Sequence, residues 1–183
     1  SAQAHTPSIF GRQIVINRAE DVWVYTTDGK KLYDGTAGLW HTNIGHSRKE
    51  IASVAYDQLL KLETYHVFGR YANDKAIELS ERISELSPIP TPKIILTSGG
   101  SDSIDTAAKL ARRYWNLLGK ESKKIILSRE FSYHGLHAFG TSIAGLDFNR
   151  EGYGTDSLVP DTQRVSFSDI VSVEKTIREI GAE

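Results

Sequence analysis

Two short stretches of this chain carry residue types whose spacing could do chemistry. Ser98-Gly99-Gly100-Ser101-Asp102 joins a short apolar run to a segment with helical periodicity. Such a turn aims backbone N–H groups outward from the positive end of a helix dipole, an arrangement that suits a phosphate. Gly99 and Gly100 permit close approach, and the Ser101 hydroxyl adds a donor. The same residues also read as a plain strand-to-helix turn in which Ser101 or Asp102 caps the helix. A P-loop needs a lysine and a hydroxyl after its glycines, and a dinucleotide fold needs three spaced glycines; neither requirement is met, so an isolated phosphate group fits better than a polyphosphate. Tyr133-His134-Gly135 follows a second apolar run, just past the carboxyl end of an expected parallel strand, where ligands of open α/β sheets collect. A ring there can stack on a flat cofactor; the other reading makes Tyr133 and His134 ordinary packed residues. His134 and His137 stand three apart, but the sequence places no carboxylate or third ligand with them and His-Glu-x-x-His is absent, so no metal site is expected.

The elements that must position these residues follow from local pattern. Val22-Trp23-Val24-Tyr25-Thr26, the turn residues Asp28-Gly29 and Lys31-Leu32-Tyr33 predict a β-hairpin. Ile51, Val54, Ala55, Leu59 and Leu62 share one helical face, which predicts a helix from about Arg48 to Leu62. Between them DGTAGLWHTNIGHS is glycine-rich and has neither helical nor strand period, so it reads as a loop. A second amphipathic helix is predicted over Asp74 to Leu86, stopped by the prolines of SPIPTP. Lys93–Thr97 and Lys124–Ser128 read as buried strands flanking a helix whose stripe runs from Ile104 to Leu118 and closes at Gly119. Strand, helix, strand is a βαβ unit and implies a parallel sheet. A weaker strand at Arg164–Phe167 leads into a last helix from Ser168 or Asp169, with Ile170, Val173, Ile177 and Ile180 inward and Gly181 at its end. So small a parallel sheet leaves its edges bare, so more sheet is expected than these residues supply.

Composition narrows the class. The chain has 183 residues, 25% charged and 39% hydrophobic, with net charge −1. That excludes a disordered chain and a strongly basic nucleic-acid surface, and no nucleic-acid partner is expected. There is no cysteine, so disulfides, thiolate metal sites and cysteine nucleophiles are excluded, and a reducing cytoplasm fits. No apolar run approaches the roughly 18 residues a membrane helix needs, and the opening SAQAHTPSIFGRQ lacks the layout of a secretion signal, so no membrane partner is expected.

Taken together, DGKKLYDGTAGLWHTNIGHS, SGGSDSIDTAAKLAR and SYHG, in this order and at these separations, resemble the class III (omega-type) aminotransferases of pyridoxal-phosphate fold type I. The resemblance runs from about Ile14 onward and matches the N-terminal portion of that family. It implies an incomplete α/β large domain over 48–183 and an N-terminal segment of a small domain over 1–47. It also implies pyridoxal 5'-phosphate as cofactor, held at its phosphate by Gly100 and Ser101 with Gly99 lining the turn. Tyr133 would stack on the pyridine ring, with His134 and Gly135 completing the motif. Trp40 resembles a substrate-side tryptophan of the amine-accepting branch, against the alternative of a core aromatic. Asp102 stands where the family has a glutamate, and Ile104 where it has an asparagine.

The implied reaction moves an amino group between a primary amine or omega-amino acid and a keto acid such as pyruvate, in a homodimer. An aminomutase or decarboxylase on the same fold, or a non-catalytic interaction domain, are the alternatives. The family's Schiff-base lysine lies well downstream of Tyr-His-Gly. Here the lysines from Lys30 to Lys124 all precede that motif and Lys175 follows it too early, so no catalytic residue is expected in this chain. The 183 residues are expected to be a fragment, inactive by themselves.

Overall fold

The computed structural model describes residues 11–181, so the opening SAQAHTPSIF, part of the stretch read as lacking a secretion signal, lies outside the described residues. Backbone contacts divide the chain between Ile77 and Glu78 into two compact units.

The first unit opens on the expected hairpin and adds a strand to it. β1 (Ile16–Glu20), β2 (Trp23–Thr26) and β3 (Lys31–Tyr33) form an antiparallel meander in the order β1-β2-β3. Trp23 faces Tyr33 and Val24 faces Leu32 across β2 and β3, and the two rings meet edge to face at 5.7 Å. Cross-strand aromatic pairs of this kind, with Lys31 over the Trp23 ring at 4.2 Å, set the register. Thr26 closes the turn: its N–H donates to the Lys30 carbonyl at 3.0 Å and its hydroxyl accepts from the Lys30 N–H at 2.9 Å. After β3 comes a single turn, α1 (Ala37–Trp40), and then α2 (Lys49–Lys61), within a residue of its predicted ends. α3 (Asp74–Leu86) has the predicted bounds and crosses the division between the units.

The second unit contains α4 (Gly100–Leu117), β4 (Ile126–Arg129), the short α5 (Ala138–Ser142), β5 (Thr162–Val165) and α6 (Ile170–Ile180). β4 and β5 run parallel, Ile126 facing Thr162 and Arg129 facing Val165, and the chain between them makes the crossover. The parallel sheet is therefore present, but the βαβ unit differs from the expected one. Lys93–Thr97 forms no ladder, because a strand exists only with a hydrogen-bonded neighbour and no described segment offers it an edge. Ile95 remains 58% and Leu96 44% exposed as a result. The last strand is also shifted, to Thr162–Val165 from the expected Arg164–Phe167. Asp169 caps α6, accepting from the N–H groups of Val171 and Ser172, and Gly181 ends it at φ 88°. Ile170 and Ile177, expected to face inward, are exposed among the described residues.

The core of this unit lies where α4, α5 and β5 meet. Ala108, Ile143, Ala144 and Val165 are its buried apolar residues. Arg112 ties α4 to the start of both strands: its guanidinium donates to the carbonyls of Lys124 at 2.9 Å, Pro160 at 2.6 Å and Asp161 at 3.3 Å, and lies over the Phe139 ring at 4.8 Å.

Candidate cofactor site

α4 begins at Gly100, after an extended Gly99 that makes no side-chain capping bond. Ser101 and Asp102 therefore lie inside the first turn, and the reading of either as the cap is corrected. The first bond of the ladder runs from the Ser103 N–H to the Gly99 carbonyl at 3.0 Å, so the amides of Gly100, Ser101 and Asp102 precede it and meet no acceptor among the described residues. The approach to them is open: a Cβ placed on Gly100 would meet nothing within 4 Å. Around the turn the side chains bond to one another. Thr97 and Ser103 share a hydroxyl hydrogen bond at 2.5 Å, and the Ser98 hydroxyl donates to Asp102 at 2.9 Å.

The fold brings the second motif against this turn. The Leu136 N–H donates to Ser101 Oγ at 3.1 Å, which leaves the Ser101 hydrogen free to donate elsewhere. Gly135 packs so closely that a Cβ there would lie 2.5 Å from Ser101 Oγ and 2.9 Å from its Cα; its φ of +99° independently excludes most side chains. The buried Asn149 amide donates to the Gly135 carbonyl at 3.3 Å. Asp105, one turn after Ser101 on α4, accepts from the N–H groups of Phe139 at 3.1 Å and Gly140 at 3.2 Å, so a side chain from α4 caps α5. A Cβ on Gly140 would come within 2.4 Å of the His134 carbonyl, which makes that contact possible only for glycine.

Sequence reading did not single out Asp105 or Asn149. The signal available was a lone aspartate in an otherwise helical pattern, and its partners lie 34 and 35 residues away.

Tyr133, two residues before Gly135, is 52% exposed, and His134 beside it is half-buried. His137 does acquire a carboxylate: its Nδ1 lies 3.4 Å from Asp102 Oδ1. Among the described residues, no three histidine or acidic groups converge as a metal site. Gly99, Gly100, Ser101, Tyr133, His134 and Gly135 thus belong to the second unit, while Trp40 belongs to the first, on α1, where it is 83% exposed.

Three acceptor-free amides and a hydroxyl at the start of α4, with an exposed ring on the segment packed against it, fit a phosphorylated, flat cofactor. The fold, helices with a parallel β4-β5 pair in the second unit, defines an α/β protein. Residues 6–180 match the family model for Aminotransferase class-III. The chain is 37% identical over 140 residues to the beta-alanine–pyruvate aminotransferase of Pseudomonas aeruginosa, a match covering 76% of this chain and 31% of that protein. An (S)-enantioselective omega-transaminase from Thermomicrobium roseum superposes with a TM-score of 0.91 at 33% identity, covering 98% of this chain and 44% of that one. The omega-transaminase of Pseudomonas jessenii, solved in complex with PMP, gives 0.90 at 29% identity, covering 98% and 43%. The chain belongs to the class III aminotransferases, a pyridoxal-phosphate family of fold type I, and spans less than half the length of these relatives.

Proposed function

We propose that the protein to which this chain belongs transfers an amino group between a primary amine or omega-amino acid and a keto acid such as pyruvate, with pyridoxal phosphate as cofactor. The observation that carries this reading is the junction of Ser101 with Gly135 and Leu136, which packs the turn bearing the open amides against the segment that contains Tyr133. In this reading the amides of Gly100 and Ser101 and the Ser101 hydroxyl grip the phosphate, Gly99 lines the turn, Tyr133 covers one face of the ring, and His134 completes the cofactor-binding motif beside it. Bound there, the cofactor supplies an electron sink that no protein side chain provides. Trp40 is the substrate-side residue of this reading, the one that meets the apolar part of the amine.

None of the lysines here matches the family's covalent lysine, so residues 1–183 hold the cofactor without turning it over. Residues 1–47 then belong to a small domain and 48–183 to the large one, in a cytoplasmic homodimer. The family match and the two transaminase structures support the chemistry; the substrate class rests on the relatives' names and on Trp40.

The test is equilibrium binding by the full-length protein of pyridoxal phosphate and of pyridoxal, which lacks the phosphate, with borohydride reduction and mass spectrometry of residues 1–183 alongside. Pyridoxal phosphate is expected to bind at least tenfold tighter, with no single lysine of residues 1–183 labelled in stoichiometric yield. Equal affinities would remove the phosphate grip and with it the reading.

A further inference from the structure

We propose that the Asp34–His46 pair is a positioning device that fixes the Trp40 turn and so sets which amines are accepted. This rests on the reading of Trp40 as a pocket wall, and neither Asp34 nor His46 is part of the cofactor grip.

Asp34 follows β3 directly, and its side chain is 9% exposed. Its carboxylate accepts from the Thr36 N–H at 3.1 Å, the Thr36 hydroxyl at 2.9 Å and the Gly38 N–H at 2.7 Å, and lies 2.8 Å from His46 Nε2. One carboxylate therefore holds both the start of α1 and the far end of the loop. His46 is itself fixed on the hairpin: its N–H donates to the Asp21 carbonyl at 2.7 Å, and the Asp21 N–H donates back at 3.3 Å.

What the pair holds is a turn that would not keep its shape unaided. Ala37, Gly38, Leu39 and Trp40 have φ of 51°, 61°, 65° and 76°, four successive residues in the left-handed region. That region is disfavoured for L residues, and runs of it are rarer still. The backbone bonds of the turn, from the Trp40 N–H to Thr36 and from the His41 and Thr42 N–H groups to Ala37, are local, so they cannot anchor it to the sheet. Asp34 and His46 do so. Among the described residues the Trp40 indole has no ring partner and stands 83% exposed, so within this segment its direction follows the backbone of the turn. A wall placed by its backbone moves when the backbone is released.

The experiment uses the full-length protein. Trp23→Phe and Trp115→Phe leave Trp40 as the only tryptophan of this segment, and in that background His46→Ala, His46→Gln and Trp40→Ala are compared. The kcat/KM ratio for a phenyl-bearing primary amine over a three-carbon one is measured alongside time-resolved fluorescence anisotropy assigned to Trp40 by difference from Trp40→Ala. His46→Ala is expected to shift the ratio at least fivefold, chiefly through KM, and to lower the anisotropy. His46→Gln, whose amide can return a donor to the Asp34 carboxylate, is expected to restore both. Unchanged anisotropy in His46→Ala overturns the positioning role. A ratio altered in Trp40→Ala but not in His46→Ala overturns the claim on specificity while leaving the wall. An unaltered ratio in Trp40→Ala overturns the wall itself, and with it the specificity claim, whereas the anisotropy still judges the positioning.

Discussion

Gly100 and Gly135 lie at the same site and are expected to respond in opposite ways to the same added methyl group. At Gly135 a Cβ overlaps Ser101 and the backbone has positive φ, so Gly135→Ala is expected to cost about 1–3 kcal/mol of stability as well as cofactor affinity. At Gly100 nothing stands within 4 Å and the residue is helical, where alanine is favoured over glycine by up to about 1 kcal/mol. Gly100→Ala is therefore expected to keep or raise the melting temperature while weakening pyridoxal phosphate binding. Calorimetric melts paired with binding titrations separate the two; unchanged affinity in Gly100→Ala would show that no phosphate seats over that residue. Asp34 gives a residue-scale expectation in pH. The hydrogen bond from His46, then those from Thr36 and Gly38, lowers its pKa from 3.8 to about 2. A lowered folded-state pKa stabilises the folded form above the unfolded value, and that contribution is lost as pH falls from about 4 towards 2. Near-UV circular dichroism of the first unit is expected to show an acid transition in that window, and Asp34→Asn is expected to abolish its pH dependence. A transition that persists in the variant would place the sensitive carboxylate elsewhere.

Helices were readable wherever a local repeat dictates them, and α2, α3 and α6 lie close to their predicted bounds because period and stop residues are properties of neighbouring positions. The strand expected at Lys93–Thr97 is not formed, because apolar content alone does not supply the neighbour that makes a strand. The glycine-serine turn and the Tyr-His-Gly segment were legible as types, yet their mutual contact was not: it depends on Asp105 reaching 34 residues forward and on the carbonyls that Arg112 collects from Lys124, Pro160 and Asp161. The same holds for Asp34 and His46, an acid and a histidine at opposite ends of a loop whose pairing no local pattern encodes. Asp105 supplies the prediction at this scale. Removing a side-chain helix cap costs about 1 kcal/mol, so Asp105→Ala is expected to lower stability by that amount. Asp105→Asn retains an acceptor oxygen and is expected to lose less. Hydrogen exchange at the Phe139 and Gly140 amides reads the effect directly, and unchanged protection in Asp105→Ala would mean that α5 is ordered by other contacts.

At the scale of the molecule, amphipathic helices have formed whose apolar faces no described residue covers. Val54 and Leu60 on α2, Leu86 on α3, and Ile170 and Val171 on α6 are each at least 68% exposed, whereas the buried apolar residues of the described chain reduce to Ala108, Ile143, Ala144 and Val165. Most of the stability of a helix in a protein comes from burying its apolar face, so these helices need a surface that the described residues do not provide. The relatives are two to three times longer, and the unpaired segment Lys93–Thr97 and these bare helix faces are consistent with cover from a longer chain or a second copy. Exposed apolar patches of this extent drive association and bind hydrophobic dyes. Residues 1–183 expressed alone are therefore expected to bind anilinonaphthalene sulfonate strongly and to sediment as oligomers of no fixed size. In the full-length protein, dye binding is expected to vanish, and the amides of α2 and α6 to be protected from exchange well beyond their protection in residues 1–183. A dye-silent, monodisperse 183-residue chain would mean that these faces find cover within the chain itself, and the case for further covering structure would fall.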